Sequence, residues 1–371
     1  MGKANKIHYG RLFERSIIAI SFGGGLGVLI EAAWIGYFHD YLVFWTTARV
    51  SLTRPELIYD FQAITDLQDW VYESGLGPWV YPPSTLFYLL PFSAIPFRSS
   101  LWVWSLLSIV FYFCATFVFC VRHKLMIALI ATLSLVTMYG IVQGQIAPAA
   151  ASLVFLGLRQ LDRNAVFAGV LFGIAATIKP QFVVLAPLAF IAGRYYTALI
   201  SSVVTGAAIG VLSIAAFGAG PWVEWVRALP MFLEFVRETD FFVRGTSPSS
   251  LLWGLGIEGT AGQIARAVFA SVGIAACWRV FRKSESLPHR LVAMVGGGIL
   301  TLPYSMGYDL AALAPAAAYF ILVEKRTVPD WALAFFSLGL LFALGSFASV
   351  MVILFTFLVC CHALNPPSQT S

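Results

Sequence analysis

A lone carboxylate, Asp40, stands directly behind a greasy run at 17–38, in the string His39-Asp40-Tyr41-Leu42-Val43-Phe44-Trp45. The run is long enough to cross a bilayer and has Arg11 and Arg15 behind it, so the acid falls at the far membrane surface. There it can cap the helix expected over 41–51 or take a proton, and the two roles are compatible. Other polar groups that look misplaced in apolar surroundings follow: Tyr81-Pro82-Pro83, Gln143-Gly144-Gln145, Lys179-Pro180-Gln181 and the stretch from Tyr304 to Tyr308-Asp309. Each has a plainer reading as well. The prolines suit a helix start, the glutamines a tight turn, the lysine a snorkelling cation at a helix stop, and Tyr308-Asp309 an interfacial anchor and cap. Glu31, nine residues before Asp40 and about half a turn round the helix from it, reads as buried against a partner or near a polar cavity.

The elements that must hold these residues are membrane helices. Hydrophobic residues make up 59% of the 371, charged residues 11%, and mean hydropathy is +0.83, which excludes an ordinary soluble domain. Cys114, Cys120, Cys277, Cys360 and Cys361 sit in or beside apolar stretches without metal-ligand spacing and read as small core hydrophobes rather than disulfides or zinc ligands. The basic start resembles that of a signal peptide, but the following apolar run is too long and lacks a cleavage pattern, so it reads as an uncleaved first helix. Basic clusters recur at 3–15, 122–124, 159–163, 194, 279–290 and 325–326. They all lie on one side if the spans run near 16–38, 101–121, 125–142, 146–158, 165–178, 181–193, 197–217, 263–281, 291–303, 310–323, 331–345 and 347–363. By the positive-inside rule that side is the cytoplasm, which gives about twelve helices with both termini inside.

The expectation is therefore an all-α polytopic protein, one integral membrane domain over 1–371, with outer loops at 39–80, containing interfacial helices, and at 218–248. The stretch 81–97 has no clear place, since Pro82, Pro83, Pro91 and Pro96 suit a kinked, re-entrant or interfacial piece. This topology collects Asp40, the Gln143–Gln145 turn, Lys179, the second loop and the Tyr304–Asp309 stretch on one face. Independent helix ends have little reason to coincide in that way unless they line a common cavity, although helix ends are also where polar residues cost least.

Several short motifs occur in an order that resembles the glycosyltransferase 87 family. They are Asp40 to Trp45 with Ala48-Arg49, Leu57-Ile58-Tyr59-Asp60, Tyr81-Pro82-Pro83, Gly144-Gln145, Gly173 through Lys179-Pro180, and Pro303-Tyr304 with Tyr308-Asp309. The resemblance runs from about residue 30 to about residue 320. It implies a GT-C fold similar to that of polyprenyl-phosphate-mannose-dependent mannosyltransferases. The expected activity is transfer of one hexose, of mannose type, from a polyprenyl-phosphate sugar to a glycolipid or polysaccharide hydroxyl. The reaction is expected at the extracytoplasmic face of the inner membrane, without a nucleotide sugar, cofactor, metal or nucleic acid.

The same resemblance implies that Asp40 is the general base of an inverting displacement. An alcohol is a poor nucleophile until a positioned carboxylate takes its proton, so the chemistry agrees with the residue type. The leaving lipid phosphate needs charge stabilisation more than protonation, for which Lys179 is the candidate, supported by Gln145, Arg244 and Tyr81. Tyr41, Trp45, Arg49, Gln143, Tyr304, Tyr308 and Asp309 are expected to contact acceptor or line the cavity. The family's mycobacterial members carry a histidine near the late motif where this chain has Tyr304-Ser305-Met306-Gly307-Tyr308-Asp309, and 245–252 matches only loosely. A transporter or flippase of a lipid-linked sugar suits a dozen helices as well, and Glu31 favours it, but no internal repeat is visible. A non-catalytic partner in envelope assembly would make Asp40 dispensable.

Overall fold

The computed structural model describes residues 23, 27, 39–68, 77–239, 241–324 and 348–364. Nearly all of the expected first span with Glu31, the stretch 69–76, and 325–347 with the span expected at 331–345 lie outside them.

Among the described residues every regular element is helical, and one isolated bridge joins Gly245 to Met306. The α-helices are α1 His39–Ser51, α2 Phe61–Asp66, α3 Leu86–Ser93, α4 Phe97–Phe119, α5 Lys124–Leu133 and α6 Leu135–Val142. After them come α7 Ala147–Gln160, α8 Ala165–Ile178, α9 Ala186–Gly193, α10 Tyr196–Phe217, α11 Gly220–Glu238 and α12 Pro248–Gly254. The last are α13 Gly259–Lys283, α14 Leu287–Leu291, α15 Gly297–Thr301, α16 Ala314–Tyr319 and α17 Ala348–Leu364.

Three of these, α4, α10 and α13, are long and apolar enough to cross a membrane, and a fourth span results if α5 and α6, bent by 54°, count as one. The other expected spans among the described residues are shorter helices. The 14 residues of α8 reach only about 21 Å, whereas a bilayer core needs about 20 residues. Breaks explain several of them. The π-turn Val292–Gly296 interrupts the span expected at 291–303, while Pro315 and the π-turn Phe320–Glu324 divide that at 310–323. Irregular backbone of this kind is tolerated at depth when protein surrounds it, and Val292–Gly296 is fully buried.

Close packing inside the bundle depends on small residues. Gly169 and Gly173, one turn apart on α8, face the carbonyls of Ala198 and Ser202 on α10, and any side chain there would push the helices apart. Ser201 Oγ adds a hydrogen bond to the Val166 carbonyl at 2.9 Å. The cysteines are all free; Cys120, Cys277 and Cys360 are buried, as expected of core hydrophobes, while Cys114 and Cys361 face outward.

Two expected loops contain helices. α1 and α2 occupy the first, and α1 is largely buried, packed against α3 and α4. The second, expected as a loop over 218–248, carries the 19-residue α11. The unplaced stretch 81–97 is a 3-10 turn, Pro83–Thr85, leading into α3 with Pro91 inside it.

The bundle has two chemically different ends. α7 begins two residues after Gln145 and has Arg159 in its last turn, and α8 runs back from two residues after Arg163 to Ile178, next to Lys179. Arg122, Arg159 and Arg163 line one cavity, and Arg290 pairs nearby with Asp162 at 3.2 Å, so several basic clusters meet at one end. The polar residues of the opposite helix ends meet at the other.

Candidate active site

Gln145 is aimed by a helix cap. α6 ends in a Schellman turn, in which Gln145 N–H donates to the Gly140 carbonyl at 2.8 Å and Gly144 N–H to that of Ile141 at 3.0 Å. Gly144 sits at φ +70, and a Cβ there would run into the Tyr41 side chain, so the position demands glycine on both counts. The turn is locked from outside. Tyr41 N–H donates to the Gln143 carbonyl at 3.0 Å and Trp104 Nε1 to that of Gly144 at 2.9 Å. The first of these contacts also fixes the start of α1, where Asp40 stands.

Lys179 is aimed by a helix stop. Pro180 bars the preceding residue from helical backbone, and Lys179 accordingly sits at φ −144, ψ 79. The stop leaves the last carbonyls of α8 without helical partners, and the Pro82-Pro83-Ser84-Thr85 turn supplies them. Ser84 Oγ donates to the Thr177 carbonyl at 2.9 Å, and Thr85 Oγ1 reaches that carbonyl at 3.1 Å and that of Ile178 at 3.3 Å. The Tyr-Pro-Pro motif thus clamps the end of α8 and brings Tyr81 beside Lys179. Tyr59 Oη donates to the Tyr81 carbonyl at 2.6 Å.

These elements surround a cavity of about 160 Å³. Asp40, Tyr81, Gln145, Lys179, Tyr304 and Tyr308 all line it, and Asp40 and Lys179 are its only charged described lining residues. Gln145 joins two of the others: its Nε2 donates to Asp40 Oδ2 at 2.5 Å, and its Oε1 accepts from Tyr81 Oη at 2.9 Å. Burial, with the Asp40 and Asp309 charges added to it, pushes the Tyr81 phenol well above its ordinary pKa. Burial and then Asp309 push that of Tyr304 up too, so both phenols stay protonated.

Lys179 is neither exposed nor snorkelling. It is 1% exposed and forms an ion pair with Asp309 Oδ1, itself 1% exposed. Its ammonium lies 4.9 Å from the Tyr308 ring, 5.3 Å from Phe182 and 5.8 Å from Tyr81. Such faces favour a cation. Asp309 is held by its own turn, since Oδ2 accepts from Met306 N–H at 3.0 Å and from Ser305 Oγ at 3.4 Å. Capping is therefore part of its role, but its burial rules out an interfacial anchor.

The other expected site residues sit elsewhere. Tyr41 Oη bonds Ser100 Oγ at 2.5 Å, Trp45 Nε1 donates to the Ile95 carbonyl at 3.0 Å, and Arg49, stacked on Trp45, donates to the Ser93 carbonyl at 3.1 Å. These three fasten α1 to α3 and α4 and are not among the lining residues. Gln143, also absent from the lining, donates to Tyr139 Oη at 3.3 Å. Arg244 ends the 3-10 turn Phe241–Arg244, one residue before the bridge from Gly245 to Met306, and its side chain lies outside the described set. Among the described residues no three His, Cys, Asp or Glu side chains cluster as metal ligands do.

Sequence reasoning missed the cavity's cover. Trp225, Leu229, Phe232 and Phe235 of α11 line it, and Trp225 Nε1 donates to the Val80 carbonyl at 3.2 Å. The first three recur at i, i+4 and i+7, the stripe of an amphipathic helix.

The sequence model of Glycosyltransferase family 87 matches residues 79–305. That stretch is more than half of the 371 residues and includes Tyr81, Gln145, Lys179 and Tyr304, whereas Asp40 precedes it and Tyr308 and Asp309 follow it. No curated protein and no solved structure matches the chain. With helices able to span a membrane and a match that covers most of the cavity-forming elements, the chain belongs to glycosyltransferase family 87.

Proposed function

We propose that the protein transfers one hexose, of mannose type, from a polyprenyl-phosphate sugar to a hydroxyl of a glycolipid or polysaccharide at the extracytoplasmic face of the inner membrane. The observation that carries this reading is the convergence of Asp40 and Lys179, from helix ends 139 positions apart in sequence (179 minus 40), on one cavity whose other described walls are uncharged. Asp40 takes the acceptor's hydroxyl proton as its oxygen attacks the anomeric carbon. The bond to the phosphate oxygen breaks on the opposite face of the sugar, with inversion, and the electron pair leaves with the polyprenyl phosphate. Lys179 steadies that anion, sharing its charge with Asp309. Gln145 holds the Asp40 carboxylate in place, and Tyr81 fixes the Gln145 amide in turn.

Purified protein offered a panel of synthetic polyprenyl-phosphate sugars and the corresponding nucleotide sugars should consume one of the former and none of the latter. Consumption of a nucleotide sugar alone would overturn the donor class.

The proposed side is tested separately. Cysteine introduced by Glu238→Cys, at the exposed end of α11 beside the cavity cover, should react with a membrane-impermeant thiol reagent in intact cells above the wild-type background. Arg163→Cys, at the basic end, should react only after lysis. The reverse pattern would put the cavity on the cytoplasmic side.

A further inference from the structure

A second cavity, of about 510 Å³, lies at the basic end of the bundle, bounded by the ends of α4 and α7, the turn into α8 and the segment leading into α14. It is remote from the candidate active site, because α7 separates them with 14 residues, or about 21 Å. Three arginines line it: Arg122, Arg159 and Arg163. Two acids do too, but they are not equivalent. Asp162 is already engaged by Arg290 at 3.2 Å and by Tyr195 Oη at 2.5 Å. Glu285 is exposed and, among the described residues, makes no ion pair.

None of the three arginines has a carboxylate within 4.0 Å among the described residues. Three cations thus face one unengaged acid across a shared cavity. The positive-inside tendency accounts for arginines on this side of a membrane, and Arg159 also suits the negative end of α7. Neither accounts for the convergence of Arg122, after α4, with Arg159 and Arg163, at the turn between α7 and α8, on one concavity. Guanidinium groups present planar donor forks that match phosphate oxygens, and they give up water more readily than ammonium groups. Phe119, Val121 and Leu287 supply an apolar wall beside them.

We propose that this cavity binds a phosphate-bearing anion, supplied either as the headgroup of an anionic phospholipid or as free phosphate. This is independent of the transferase reading, because none of its residues lines the first cavity.

The test uses the full chain in detergent. Binding of phosphatidylglycerol and of phosphatidylcholine is followed by native mass spectrometry, and binding of inorganic phosphate by calorimetry. Wild type is compared with Arg122→Gln/Arg159→Gln/Arg163→Gln and with Arg282→Gln/Lys283→Gln, which removes two exposed charges at the end of α13 that do not line the cavity. Each cavity arginine is expected to contribute about fivefold in affinity, so the triple variant should bind roughly a hundredfold more weakly. The α13 variant should stay within about twofold if the cavity, rather than the general charge of that end, is responsible. Should the triple variant not fold, Arg122→Gln and Arg163→Gln singly, both exposed positions, should each lose about fivefold. Phosphatidylglycerol binding that phosphate does not compete away identifies a lipid headgroup; direct phosphate binding lost in the triple variant identifies the free anion. Equal binding by wild type and the cavity variants, or an equal loss in the α13 variant, overturns the proposal.

Discussion

Asp40→Asn is expected to give a folded protein that still binds donor but transfers its sugar at least about a hundredfold more slowly, since general-base assistance is typically worth 10²–10⁴ in rate. The substitution is nearly isosteric. The new amide oxygen can still accept the hydrogen bond that Gln145 Nε2 gives to Oδ2, and asparagine is as good as aspartate near a helix start. What it cannot do is take a proton from a hydroxyl. Single-turnover transfer from a polyprenyl-phosphate sugar, compared for wild type, Asp40→Asn and Asp40→Ala at matched amounts of monodisperse protein, separates the roles. Near-normal transfer in Asp40→Asn with loss of stability in Asp40→Ala would make this residue structural.

The cavity was legible because its residues stand at breaks that local chemistry imposes. Gly144 can end a helix in a left-handed turn, Pro180 stops α8, and Pro82-Pro83 cannot continue one, so the polar residue beside each break is marked in the sequence. Charge alternation supplied the second clue, since it put Asp40, Gln145, Lys179, Tyr304 and Tyr308 at one set of helix ends, and these residues share one cavity. Three things were hidden. The Lys179–Asp309 pair joins residues 130 positions apart (309 minus 179), and neither position carries a local sign of the other. The cover on α11 alternates its apolar stripe with Glu224, Arg227, Glu234 and Arg237, so it read as a polar loop. Hydropathy likewise does not distinguish a 14-residue helix partly buried in protein, such as α8, from the middle of a bilayer span. Tyr41, Trp45 and Arg49 illustrate the opposite hazard. Motif order placed them at the site, but packing uses them to hold α1 against α3 and α4.

The ion pair makes the role of Lys179 separable from its contribution to stability. Lys179→Met keeps the aliphatic stem but leaves the Asp309 carboxylate buried without its cation, and Asp309→Asn leaves the ammonium without its anion. Breaking a buried pair from one side typically costs about 3–5 kcal/mol, so each single variant should unfold at markedly lower denaturant or temperature. The double variant Lys179→Met/Asp309→Asn removes both charges while the asparagine oxygen can still accept from Met306 N–H. Replacement of a buried pair by neutral groups is often neutral or stabilising, so most of the lost stability should return. Donor affinity then decides the function. If the ammonium meets the donor phosphate, the stable double variant should bind donor more weakly by about 1.5–3 kcal/mol, the worth of a charge-assisted hydrogen bond, or roughly 10- to 150-fold. If Lys179 serves only to neutralise Asp309 among the rings of Tyr81, Phe182 and Tyr308, the double variant should bind donor like wild type, and the phosphate must be held by other groups.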